Sequence, residues 1–305
     1  MDSQLSFGCH NLTGGSSFWR SQRLVSCALD LGIRRFDVAP SYGLGTAERT
    51  LGRALGKRRS DPDLEITTKY GIAPPRFGSL AALLREPYKA FRRTRRTSMP
   101  ELAWRLQSPA SDFHGTAREA VEASLRALKL DRLGALLSHE RLREELINRF
   151  SYDICDLVRR GVVVRMGCSG SVGNVKYMLS KSDGAASIAQ VPLHQHAEVS
   201  GIDETRLFNL GLSARRLEAH LTSVSRPRLD LLEAVPSRYR LSPTGAALAI
   251  VVAWVRSYLP KSVCIVNAST DERLSAVVLA SIDVEVGQWV QAHDRVLQDA
   301  MAHAR

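Results

Sequence analysis

Short apolar runs alternate with stretches of helical spacing along the whole chain. The runs fall at residues 4–9, 33–38, 64–69, 133–137, 162–168, 186–191, 220–224 and 262–266, each bounded by turn residues, and read as strands. Between them the apolar positions recur every three to four residues. Residues 20–31 place Leu24, Ala28 and Leu31 on one face and stop at Gly32; a second helix opens at Thr46 and ends near Gly56. Residues 116–130 carry Ala120, Ala123, Ala127 and Leu128 on one face, and further helices are predicted over 146–160, 172–179, 204–217 and 269–280. Ser242-Pro243 caps a strong helix that runs through Tyr258, and 284–302 closes the chain as one amphipathic helix.

Eight strands, each followed by a helix and with no linker between them, predict an α/β protein of one domain over 1–305. The architecture expected is a (β/α)8 TIM barrel: parallel, eight-stranded, with an extra C-terminal helix. A doubly wound open sheet would need a G-x-G-x-x-G turn after the first strand, and Gly14-Gly15 does not supply it. Residues 71–115 break the rhythm with Pro74, Pro75, Pro87, Pro100 and Pro109. They read as a long insertion after strand 3, made basic by Arg85, Lys89, Arg92, Arg93, Arg95 and Arg96.

Composition changes this picture little. An apolar share of 44% with 24% charged residues suits a soluble protein with a sizeable core. The net charge of +11 is concentrated in the 85–96 cluster, where a solvated face is the plain reading and attraction of anionic small ligands the second; no nucleic-acid fold signature accompanies it. The five cysteines show no metal spacing and read as reduced thiols, which fits the cytoplasm. No leader precedes Phe7, and the apolar run 246–255 is too short to cross a bilayer, so no membrane partner is expected. His194, His196 and Glu198 invite a metal reading but lack a third clear ligand, so no metal is expected. Trp104, inside the insertion, is the tryptophan to watch as a pocket wall, and Glu48 suits a helix start with no further role.

A barrel delivers all strand ends to one face, and the residues delivered there make a proton-transfer device. Asp37 ends strand 2, Tyr42 follows in the turn, Lys69 ends strand 3 and His139 follows strand 4. A phenol titrates near ~10 when unperturbed. A lysine ammonium beside it stabilises the phenolate, an aspartate holds that ammonium in place, and a histidine orients a reacting carbonyl oxygen.

FDVAPSYGLGTAERTLGRAL, ITTKYG and SLRALKLDRLGALLSHE resemble the signature stretches of the aldo-keto reductase superfamily, and GVVVRMGCSGSV, AQV and SPTGAALAIVVAWVRSYLPKSVCIVNASTDERL follow in the same order. The resemblance implies a barrel that binds an extended nicotinamide cofactor and transfers hydride to an aldehyde or ketone. NADP(H) is the cofactor favoured and NAD(H) the other choice. It implies Tyr42 as general acid/base, Lys69 as its modulator, Asp37 as the lysine's partner and His139 as carbonyl orienter. It further implies Ser169 and Gln190 at the nicotinamide carboxamide, Ser269 and Thr270 at phosphate, and Arg273 at the 2′-phosphate. Gly170 stands where the family has asparagine, Asn267 lies in its phosphate loop, Val277 replaces an adenine-side asparagine, and 224–227 lacks the aromatic that stacks on nicotinamide. The family habit is a monomer or weak homo-oligomer acting on a small carbonyl substrate. A member that keeps the pocket, holds NAD(P) and turns over little is the alternative.

Overall fold

In the computed structural model the described residues are 4–74, 115–140, 142, 144–182, 186–199, 205–209 and 233–302. The strands are β1 (Leu5–Gly8), β2 (Arg35–Asp37), β3 (Glu65–Tyr70), β4 (Leu133–His139), β5 (Val163–Ser169), β6 (Ile188–Pro192), β7 (Thr205–Asn209) and β8 (Ser262–Val266). Each pairs in parallel with the next, and β8 pairs back onto β1, so the sheet closes into a barrel. The register sets Gly8 opposite Asp37, Asp37 opposite Thr67, Lys69 opposite Leu137, and His139 opposite Ser169. Alternate side chains fill the interior, where Ala135, Leu137, Ile188, Val263 and Ile265 pack as a small cluster. The others face the helices and join the main core, in which Phe36 and Leu136 are buried. Burying a side chain such as Phe36 contributes about 1.5–3 kcal/mol.

The helices are α1 (Phe18–Asp30), α2 (Ala47–Leu55), α3 (Ala117–Leu128), α4 (Glu144–Arg159), α5 (Val172–Ser180), α6 (Pro243–Tyr258), α7 (Asp271–Ser281), α8 (Val284–Ala292) and α9 (Asp294–Ala302). Their starts follow from side-chain chemistry. Thr116 and Glu119 form a capping box on α3: Glu119 N donates to Thr116 Oγ1 at 3.0 Å, and Thr116 N donates to Glu119 Oε2 at 2.7 Å. Ser242 Oγ accepts from Gly245 N at 3.3 Å ahead of α6, with Pro243 in its first turn. α6 has no polar face over AALAIVVAWV, and all of these residues are buried against its neighbours α7 and α8. No helix among the described residues is long and apolar enough to cross a membrane.

Two expectations change. Residues 204–217 read as a helix, yet 205–209 form β7, hydrogen-bonded between β6 and β8. Local spacing in this stretch is ambiguous, and the two open strand edges on either side supply ladder partners that a helix would leave unpaired. The strand expected at 220–224, the ends of 224–227, and the basic cluster with Trp104 lie outside the described residues. The single helix expected over 284–302 is two, α8 and α9, broken at His293. Asp294 Oδ1 accepts from Trp254 Nε1 at 2.8 Å, which ties the start of α9 to α6 and fixes the break.

Candidate active site

Strand ends bring Asp37, Lys69 and His139 to one mouth of the barrel, and the turn after β2 adds Tyr42. Lys69 Nζ donates to Asp37 Oδ1 at 2.6 Å and to the Val38 carbonyl at 3.4 Å, with both side chains buried. Removing one partner of such a pair would strand a charge in the core, so the two hold each other in place. Burial by itself would lower the Lys69 pKa; the charge of Asp37, then that of Tyr42, outweighs it and holds the pKa above the usual lysine value. Lys69 is therefore an ammonium at any working pH.

Tyr42 opens the short helical turn Tyr42–Gly45, its N–H donating to the Ala39 carbonyl at 3.0 Å. Lys69 Nζ stands 4.8 Å from the centre of its ring. Burial pushes the phenol pKa up, and Lys69 opposes this through its charge and a hydrogen-bonding contribution. The net result is a protonated phenol with a cation beside it. His139 meets the Tyr42 ring edge-on, centroids 5.9 Å apart. Burial, then the Lys69 charge, drives its pKa down to about 3, so the imidazole is neutral at pH 7. Its Nδ1 is buried with no partner among the described residues.

The expected carboxamide residues reach the same mouth. Ser169 ends β5 and Gln190 lies opposite it in β6, both buried. Among the described residues Gln190 Oε1 and Asn267 Oδ1 are likewise buried without partners. Unpaired buried polar atoms are costly, and here they gather on the ends of β4, β6 and β8, where a ligand carrying both donors and acceptors would satisfy them. The donor set thus fits a nicotinamide carboxamide. Gly170, where the family resemblance has asparagine, has φ of 153°, and a Cβ there would stand 2.6 Å from Glu140 Oε2 and 3.3 Å from Glu140 Cα. Glu140 Oε2 in turn accepts from Asn174 Nδ2 at 2.8 Å. A side chain at 170 would be strained by that φ, and the Glu140 carboxylate would have to shift to admit it.

Ser269, Thr270 and Arg273 stand at the start of α7. Thr270 Oγ1 accepts from Arg273 N at 3.2 Å, so this hydroxyl serves as the helix cap. Arg20 of α1 donates from Nε and Nη2 to the Ser269 carbonyl at 2.9 and 2.6 Å, pinning the loop. Asp271 and Glu272 also occupy the first turn, and Arg23 Nη2 donates to Asp271 Oδ1 at 3.0 Å, offsetting one of the two charges.

Three residues at this mouth were not picked out as site residues from the sequence. Cys9, just past β1, is buried close enough to Asp37 and Lys69 to feel both; burial, then Asp37, pushes its thiol pKa well up against the pull of Lys69. His10 meets the Tyr42 ring. Asn267 lies over Gly8, where an added Cβ would stand 2.0 Å from its Oδ1. The period of two along β8, with Val263 and Ile265 inside the barrel, was the signal that would have placed Asn267 there. Among the described residues no cluster of His, Cys, Asp and Glu could hold a metal ion. A cavity of about 950 Å³ opens elsewhere, at the opposite mouth, where the strands begin and where Arg35 and Arg165 both pair with Glu65.

The model of the aldo/keto reductase family matches residues 4–211. Comparison with curated proteins finds no match. Among solved structures, an aldo/keto reductase from Klebsiella pneumoniae in complex with NADP and acetate is 19% identical, with a TM-score of 0.64 over 97% of this chain and 91% of that one. The holo form of aldo-keto reductase AKR11C1 from Bacillus halodurans is 19% identical, with a TM-score of 0.61 over 95% and 91%. A thermostable aldo-keto reductase, Tm1743, in complex with the inhibitor epalrestat is 17% identical, with a TM-score of 0.62 over 97% and 94%. At these identities the likeness is one of fold.

Proposed function

Because the chain belongs to the aldo/keto reductase family, we propose that it reduces a small aldehyde or ketone with NADP(H), Tyr42 acting as general acid. The observation that carries this reading is the buried Lys69–Asp37 pair set beside the Tyr42 ring, with a neutral His139 on the ring's edge. A nicotinamide cofactor, when bound, supplies the hydride that reaches the carbonyl carbon. Tyr42 gives its hydroxyl proton to the carbonyl oxygen, and the Lys69 ammonium stabilises the phenolate left behind. Asp37 keeps that ammonium charged and in place. His139, neutral, offers one ring N–H to the same oxygen and so orients the substrate without competing as an acid. In the alcohol-oxidising direction the same groups act in reverse.

Gln190 Oε1 and Ser169 are the partners for the carboxamide, and Ser269 and Thr270 for phosphate. Arg273 meets the 2′-phosphate, which favours NADP(H) over NAD(H). The NADP and NADPH complexes of the Klebsiella pneumoniae relatives support that choice. The protein works as one barrel domain in a reducing cytoplasm, as a monomer or weak homo-oligomer.

Absorbance at the reduced-nicotinamide band, followed with NADPH or NADH and a panel of aldehydes and ketones, tests the reading. Turnover should appear and should fall by about three orders of magnitude or more in Tyr42→Phe. Cofactor binding without turnover on any carbonyl would favour the weakly active alternative. Turnover that survives in Tyr42→Phe would reject Tyr42 as the acid. Arg273→Ala should raise KM for NADPH far more than for NADH; equal effects would reject its role at the 2′-phosphate.

A further inference from the structure

The loop that follows β1 holds the Tyr42 turn at three separate points. His10 meets the Tyr42 ring edge-on, centroids 5.5 Å apart and planes at 73°. Gly43, at φ 56°, sits so close to Leu12 that a Cβ would stand 1.8 Å from the Leu12 carbonyl oxygen. Gly14 N donates to Thr46 Oγ1 at 3.1 Å, and Thr46 Oγ1 donates to the Gly43 carbonyl at 2.7 Å. Local preference does not favour this turn, because Gly43 and Leu44 both take left-handed φ and ψ, a costly conformation for Leu44. Its aim therefore comes from what it rests on.

The Tyr42 ring meets the Lys69 ammonium over its face and an imidazole at each of two edge-on contacts, half-buried His139 and exposed His10. The His10 ring is itself held. Asn11 Oδ1 can only accept, so His10 Nδ1–H donates to it at 3.2 Å. We infer that His10 is a positioning residue that fixes the Tyr42 ring, and that the loop after β1 is the frame which aims the phenol at the substrate oxygen. This rests on Tyr42 being the acid. The contribution is geometric: an edge-on ring contact favours one rotamer of Tyr42, and proton transfer is steeply sensitive to placement.

The test pairs His10→Ala, which removes the ring, with His10→Phe, which keeps a ring and removes the nitrogens. Kinetics use NADPH and the aldehyde on which the unaltered protein is most active. His10→Ala should lower kcat by about tenfold, with the Kd for NADPH, read by fluorescence quenching, unchanged. His10→Phe should recover most of that loss and keep the shape of the kcat–pH profile. A kcat in His10→Ala equal to that of the unaltered protein overturns the inference, as does a His10→Phe no better than His10→Ala or one missing a limb of the profile; the last two would mean that the imidazole acts through its nitrogens.

A readout independent of turnover is the fluorine spectrum of protein labelled with 3-fluorotyrosine. The chain has seven tyrosines, and Tyr42 is the signal lost in Tyr42→Phe. That signal should move in His10→Ala, through loss of the neighbouring ring, and move less in His10→Phe. An unmoved signal in His10→Ala overturns the contact even if no substrate is found. Activity that survives in Tyr42→Phe, with the signal still sensitive to His10, rejects the reading of Tyr42 as acid and leaves the contact standing.

Discussion

At the scale of single residues, the site is a set of buried and half-buried groups whose charge states are forced by their surroundings. His139 shows this most clearly, and the sign of its effect on stability follows. Its folded pKa of about 3 lies below the ordinary histidine value, so between the two the unfolded chain binds a proton that the folded chain refuses. Stability contributed at neutral pH is thus lost as pH falls through that window. His139→Gln should flatten the difference in urea unfolding free energy between pH 5 and pH 7; an unchanged difference would mean that other groups carry it. Glu48 is the opposite case. It is buried between α2 and β3, accepts from Thr68 Oγ1 at 2.7 Å, and has its pKa raised by burial, against the pull of Thr68 and Ser124. An acid with a raised folded pKa destabilises the fold when ionised, so Glu48→Gln should raise Tm at pH 8 more than at pH 5. Thermal melts of both proteins at the two pH values decide it.

Among elements, the short turn of Tyr42–Gly45 is the most constrained. Gly43→Ala combines a left-handed φ with a clash against the Leu12 carbonyl and should cost both stability and nearly all activity. Gly161→Ala is the control: φ is +73°, but nothing lies within 4 Å of the added Cβ. It should cost only about 1–2 kcal/mol in denaturant unfolding and leave kcat alone. Equal losses in the two variants would show that backbone strain, and not the contact with the β1 loop, matters at Gly43. Gly170 belongs to the same class, because its φ of 153° strains any side chain, the asparagine of the family pattern included.

For the molecule as a whole, the barrel separates chemistry from support. The strands end at the Asp37–Lys69 mouth and begin at the mouth where Glu65 binds Arg35 Nε at 3.0 Å and pairs with Arg165. These three side chains tie β2, β3 and β5 together at the end remote from Tyr42. Glu65→Ala leaves two neighbouring guanidinium groups without their shared carboxylate. It should lower Tm by several degrees while kcat stays within about twofold, since each kcal/mol moves Tm by roughly 2–4 °C in proteins of this size. A proportional loss of kcat would show that the two mouths are coupled.

The sequence by itself determined the alternating pattern, the cap at Ser242, and the residue types at the strand ends, because periodicity and capping are local properties of the chain. It also placed Asp37, Tyr42, Lys69 and His139 near element boundaries. Only the closed sheet decided that Asp37 and Lys69 meet at 2.6 Å, that 205–209 pair as a strand and not a helix, and that Gly170 takes a φ that side chains rarely adopt. Those outcomes depend on partners tens of residues away, whose edges and side chains override local preference. The contact of His10 with Tyr42 is of the same kind: two polar residues in separate loops, with no shared pattern in the chain, brought together by the pairing of β1 with β2.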